Sequence, residues 1–224
     1  MTFSLIAHCS ESGQFGVAAT TAVPAVGKLV THAAPGWGAV ATQARVNPYL
    51  GIDGMALLRK GLTAADVVRE LVQSDPHPER RQFAVLDRGG TTGAWTGKDC
   101  LHWAGHRTRR HFSLQGNRLA GPHVLTAMEE AFQDFCGEPL ARRLIEALEA
   151  GEGAGGDLKG TVSATIYIVD TEEYPLWDIR VDDHPEPISE LHRLHDVFAK
   201  EVVPHIRLMP TRRDPAGRLC DMDV

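Results

Sequence analysis

Two neighbouring stretches, TFSLIAH (2–8) and QFGVAATT (14–21), are apolar on both faces. A hairpin with one face in water alternates apolar and polar residues, so strands that do not alternate need cover on both sides. The turn ESG joins the two stretches as a β-hairpin. KLVTHAA and WGAVATQ read as two more strands, with Pro35 and Gly36 supplying the turn. A second sheet stacked on the first, with helices on the outer faces, gives such strands their cover.

The rest of the chain supplies those helices. DGMALLRKG ends at Gly61, a residue suited to the position after a helix. TAADVVRELVQSD opens with Thr63 and has Asp66 three residues on, a capping-box pattern, and Val67, Val68, Leu71 and Val72 recur at helical spacing. QFAVLD and TTGAWTG flank RGG as a second hairpin, and LHWAGH and HFSLQG continue the strands. PHVLTAMEEAFQDFCG and EPLARRLIEALEAG form a helix pair. EGAGGDLKG reads as a flexible loop before the strands TVSATIYIVD and LWDIRVDD. PISELHRLHDVFAKEVV is a last amphipathic helix that Pro204 ends or disrupts. Blocks of strands alternate with helices, which predicts an α+β fold of two stacked sheets covered by helices on their outer faces, not a β-α-β alternation. One domain is expected over residues 1–205, with a tail over 206–224.

Composition excludes several classes. The chain carries 23 basic and 29 acidic residues, a net charge of −6, and its nearest candidate for a basic stripe, GHRTRRH, is short and lacks interleaved aromatics. No nucleic-acid partner is expected. No charged leader precedes a long apolar run and no stretch of about 18 apolar residues exists, so neither export nor membrane insertion is expected. Cys9, Cys100, Cys136 and Cys220 are widely spaced, without a C-x-x-C pair. Free thiols, no metal, no cofactor and a cytoplasmic location follow as expectations.

The chemistry-bearing candidates begin at the first strand. Thr2 either opens an edge strand or, once Met1 is removed, joins a hydroxyl nucleophile and an α-amine base in one residue. Ser4 and Cys9 lie nearby, but each needs a separate base. Gln43 and Asn47 in ATQARVN, and Gln115 and Asn117 in LQGN, offer side-chain amides that orient a substrate or serve turns and caps. His106 and Arg107 offer a base and a carboxylate clamp. Asp157, in GGDLKG, could hold an amine. Asp178, Asp182, Asp183 and His184 are metal-compatible residue types, though capping and pairing with arginines suit them better.

Several motifs in order, GAVATQARVNPYLG, ERRQFAVLDRGG, TGKDCLHWAGHRT, LQGNRLAGPHVLTAM, GGDLKGTVSA and DIRVDDHPEPI, make the chain resemble the domain of unknown function 1028 family over about residues 2–200. The resemblance implies membership of the N-terminal-nucleophile (Ntn) hydrolase superfamily and its αββα sandwich. It further implies a catalytic Thr2, supported by Asn117 and Gln115, with Gln43 and Asn47 at the substrate; His106, Arg107 and Asp157 are expected around the substrate on their own chemistry. The expected activity is hydrolysis of a small amide or peptide-like bond by a homodimer. The alternative is a non-catalytic small-molecule-binding or scaffolding protein on the same fold.

Overall fold

The computed structural model describes residues 2–218, so Met1 and Cys220 lie outside the described residues. The chain opens with β1 (Thr2–His8), β2 (Phe15–Thr21), β3 (Thr31–Ala34) and β4 (Gly38–Ala44). Then come α1 (Pro48–Arg59) and α2 (Ala64–Ser74), and the strands β5 (Arg81–Asp87), β6 (Thr92–Thr96), β7 (Trp103–Arg109) and β8 (Phe112–Leu119). The helices α3 (Pro122–Asp134) and α4 (Leu140–Gly153) precede β9 (Ser163–Val169) and β10 (Pro175–Val181), and α5 (Pro187–Glu201) and α6 (Val203–Ile206) follow. The fold is α+β, with a six-stranded sheet ordered β10-β9-β2-β1-β8-β7 and a four-stranded sheet ordered β3-β4-β5-β6. Both are antiparallel.

The edge-strand expectation for Thr2 is corrected here. β1 pairs with β2 on one side and β8 on the other, so the N-terminal strand lies inside the larger sheet. Local hairpins were readable from turn chemistry; the insertion of β8 beside β1 is a pairing over more than 100 residues that no turn encodes.

The period of two along each strand sorts the side chains. Phe3, Leu5 and Ala7 pack with Leu125, Met128 and Leu144 of α3 and α4. Ile6, Val17 and Ala19 pack with Ala39, Ala41 and Leu86 of the other sheet. The outer face of the smaller sheet, through Val40, Phe83 and Val85, meets Leu50, Leu58 and Leu71 of α1 and α2. Each large side chain removed from water contributes roughly 1.5–3 kcal/mol. Among the described residues no helix is long and apolar enough to cross a membrane.

Local signals set the element ends. Thr63 caps α2, its Oγ1 accepting from the Asp66 N–H at 3.2 Å. Asp87 accepts from the Gly89 and Thr91 N–H groups in the RGG turn, where Gly90 takes a φ of 79° that favours glycine. α1 starts five residues before the sequence pattern placed it, because Asn47 caps it and Pro48 fits its first turn. The EGAGGDLKG segment is tied down, contrary to expectation. Arg118 donates to both Asp157 carboxylate oxygens at 2.9 and 3.0 Å, and Leu158 N–H donates to the Arg118 carbonyl. In the tail, Tyr174 Oη donates to the Pro210 carbonyl at 3.0 Å and Arg212 pairs with Glu173.

One pH effect arises at the far end of β1. His8 stacks on Phe15 at 4.3 Å and its Nδ1 lies 3.2 Å from Nδ1 of His111. Burial and then the neighbouring His111 hold the His8 pKa below its ordinary 6.5. Below pH 6.5 the unfolded chain therefore binds more protons at this site than the folded one. The contribution is present above that pH and is lost as pH falls through the folded value. His8→Phe, which keeps the stack, is expected to flatten the fall in Tm between pH 7 and pH 5 relative to the parent (measured by thermal melts at matched ionic strength).

Candidate functional site

The face of β1 that meets the smaller sheet is apolar at Ile6 and polar at Ser4 and Thr2. The change coincides with a cluster of buried polar side chains between the sheets. Thr2 is 6% exposed, and Ser4, Gln43, Gln82, Ser113, Gln115 and Asn117 are at most 1% exposed. Register brings them together. Ser4 faces Gln115 across β1 and β8, Gln43 faces Gln82 across β4 and β5, and Thr2 faces Thr21 across β1 and β2.

Hydrogen bonding fixes how each amide lies. Gln82 Nε2 donates to the carbonyls of Gly105 and Gly116, at 3.0 and 2.8 Å, and to Thr96 Oγ1 at 3.0 Å. Carbonyls only accept, so Oε1 of Gln82 must be the end that faces Gln43 and Asn117. Their Nε2 and Nδ2 groups donate to it at 2.8 and 2.9 Å. The same two nitrogens reach the Thr2 carbonyl at 3.3 and 3.4 Å. Gln43 Oε1 then accepts from Ser4 Oγ at 2.6 Å, and Ser4 Oγ accepts from Gln115 Nε2 at 2.6 Å. Two amide donors thus hold the backbone of Thr2, and its Oγ1 donates to Thr21 Oγ1 at 3.1 Å. Asn117 Oδ1, on the far side of its amide from these acceptors, is buried without a hydrogen-bond partner among the described residues. An unmet acceptor of this kind costs about 1–3 kcal/mol.

Two cavities flank this cluster. One, of about 200 Å³, has Thr2, Thr21 and Gln43 among its lining, with walls that include Val23, Leu29 and Val30. The other, of about 580 Å³, is lined by Asn117 and by Arg45, Arg80, Asp99 and Leu101. Ala44 borders both. It holds a φ of 69°, Ala25 in the smaller cavity holds 62°, and Arg118, next to Asn117, holds 56°. Left-handed non-glycine backbone costs on the order of 1–3 kcal/mol per residue and gathers at functional sites.

The structure brings Thr2, Gln43, Gln115 and Asn117 together. Gln115 lies one register step further along β8, engaged with Ser4 and Ser113. The other candidates lie elsewhere. Asn47 accepts from Tyr49 N–H at the start of α1 and donates to Asp75 at 2.8 Å. His106 is exposed on β7, its Nδ1 2.9 Å from Thr96 Oγ1 at the outer end of the Gln82 network. Arg107 donates to Glu129 of α3 at 2.9 Å, and Arg109 joins it on the same carboxylate. Asp157 is held by Arg118. Among the described residues, Asp178, Asp182, Asp183 and His184 do not converge as metal ligands; the metal-compatible group is Glu146, Glu149 and His192.

Gln82 was not singled out from sequence, although its signal is present. It is the first inward residue of the apolar strand QFAVLD, as Gln43 is the last inward residue of GAVATQ. Arg45 and Arg80 were also missed, since isolated surface arginines carry no pattern. Asn47→Ala is expected to cost about 1–2 kcal/mol through the lost cap (measured as a lowered urea midpoint).

The site therefore defines an α+β protein whose second residue, Thr2, is anchored between two sheets with cavities on either side of the cluster. The chain belongs to the DUF1028 family, a family of unknown function, whose model matches residues 2–191. The crystal structure of protein SPO2555 from Silicibacter pomeroyi, of the same family, is 32% identical with a TM-score of 0.89, covering 98% of this chain and 99% of that one. Anbu (ancestral beta-subunit) from Yersinia bercovieri aligns at a TM-score of 0.41 and 14% identity, over 88% of this chain and 97% of its own. No curated protein matches the chain.

Proposed function

We propose that this chain is an Ntn-type amidohydrolase of four-layer αββα architecture, with Thr2 as nucleophile and base after removal of Met1. The observation that carries the reading is the pair of amides, Gln43 and Asn117, donating to the Thr2 carbonyl beneath a cavity that Thr2 lines. A structural strand end needs no such clamp.

In the proposed reaction Thr2 Oγ attacks the amide carbonyl carbon while its proton passes to the Thr2 α-amine. An unperturbed α-amine titrates at about 7.7–8.0, which suits a base near neutral pH. The tetrahedral oxyanion collapses, the C–N bond breaks, and the ammonium returns its proton to the departing amine. An ester to Thr2 remains. Water then attacks that ester with the amine again as base, releasing the carboxylic acid and restoring Thr2. Asn117 and Gln43 position Thr2 in this scheme and Gln115 supports them through Ser4. A cytoplasmic homodimer belongs to the same proposal (light scattering on the purified protein tests the dimer).

A neutral β-lactone, which opens to an ester on a hydroxyl nucleophile, tests the reading. The processed protein is expected to gain one lactone mass, mapped to Thr2. No adduct at Thr2 would leave a non-catalytic binding protein on this fold as the better account.

A further inference from the structure

The cavity that Thr2 lines and the one that Asn117 lines differ in chemistry, and the difference selects a substrate class. Among the described residues no charged side chain lines the 200 Å³ cavity that Thr2 itself lines. An uncharged wall of Val23, Leu29 and Val30 cannot repay the desolvation of an ionised group, so what lies there is small and neutral. The 580 Å³ cavity on the other side of Ala44 has the opposite character. Arg45 and Arg80 line it against one aspartate, Asp99, and both guanidinium groups are without an ion-pair partner among the described residues. A guanidinium fork binds carboxylate through two parallel N–H donors.

Asn117 lines the larger cavity, and its buried Oδ1 has no hydrogen-bond partner among the described residues. Its orientation is fixed, because both groups on the nitrogen side, Gln82 Oε1 and the Thr2 carbonyl, only accept. The unmet oxygen therefore calls for a donor, and the donor a substrate carries next to a scissile carbonyl is an amide N–H.

We propose that the substrate is an N-acylated amino acid with a free carboxylate. Its short aliphatic acyl group occupies the smaller cavity, its amide crosses at Ala44 with the N–H toward Asn117 Oδ1, and its carboxylate rests on Arg45 and Arg80. The assignment of acyl and amine sides rests on Thr2 as nucleophile; the carboxylate site does not.

Binding to the Thr2→Ala protein, which holds ligand without turnover, tests this with two probes, N-acetylalanine and N-acetylalaninamide. Calorimetry is expected to show the carboxylate bound roughly tenfold or more tightly than the carboxamide, the ratio that a hydrogen bond to a charged group supports. Adding Arg45→Ala and Arg80→Ala is expected to bring the ratio below about twofold. Both arginines are exposed, so the fold survives their loss. Equal affinities in the arginine-intact protein, no binding of either probe, or a ratio that survives loss of both arginines each overturn the proposal. Lactone labelling of the processed protein separates the two claims. Labelling at Thr2 without carboxylate preference defeats the substrate class alone. Carboxylate preference without labelling defeats the nucleophile and, with it, the acyl and amine sides.

Discussion

Thr2→Ala is expected to abolish amide hydrolysis, lowering kcat/KM by roughly 10⁴-fold or more, the scale seen when a nucleophile that is part of a catalytic unit is removed. The side-chain hydrogen bond that Thr2 makes to Thr21 among the described residues is worth about 1 kcal/mol, so the protein stays folded. Thr2→Ser keeps hydroxyl and amine and is expected to retain measurable turnover. A form with one uncleaved residue ahead of Thr2 keeps the hydroxyl but turns the amine into an amide. That form is expected to lose as much activity as the alanine variant, because an amide nitrogen is no base at neutral pH. Steady-state kinetics on N-acylated amino acids compares the three. Activity in the extended form would show that the base lies elsewhere.

Gln82→Leu is expected to lower the free energy of unfolding by about 3–5 kcal/mol, among the larger effects of a single buried substitution. Gln82 makes three donor contacts and accepts twice inside the inter-sheet cluster. Leucine fills the space but leaves the Gly105 and Gly116 carbonyls and the amides of Gln43 and Asn117 short of partners, each costing about 1–3 kcal/mol unless the site relaxes. Urea unfolding measures the loss, and lactone labelling at Thr2 is expected to slow in the folded fraction, since the donors that hold its carbonyl lose their anchor. Gln14→Leu is the control. Among the described residues the Gln14 side chain makes one long hydrogen bond, at 3.4 Å to Asp170, and its loss is expected to stay within about 0.5 kcal/mol. Similar losses at the two positions would mean that the buried network is not what holds this region.

Much of this layout is legible from local chemistry. Doubly apolar strands predict cover on both faces, turn residues place the hairpins, and Thr63 with Asp66 announces α2. What local chemistry does not carry is pairing between distant segments. β8 returns beside β1 by a register of apolar side chains that a period of two cannot distinguish from any other strand. The site shares this property. Thr2 stands out by position, and Gln43, Gln115 and Asn117 stand out as amides in strands. Gln82 needed the register with Gln43 to acquire meaning, and Arg45 and Arg80 needed the cavity. Asn47 and Asn117 look alike in sequence, each beside residues that favour turns. One caps α1 and the other sits between sheets with an unmet oxygen.

The central claim is that Thr2 carries a free amine in the working protein. The direct measurement is the intact mass and N-terminal sequence of the chain purified from its native host. The account predicts a chain that begins at Thr2, with the mass of the sequence less its initiator methionine. A chain that retains Met1 quantitatively contradicts it, because the Thr2 nitrogen is then an amide and the hydroxyl has no base of its own.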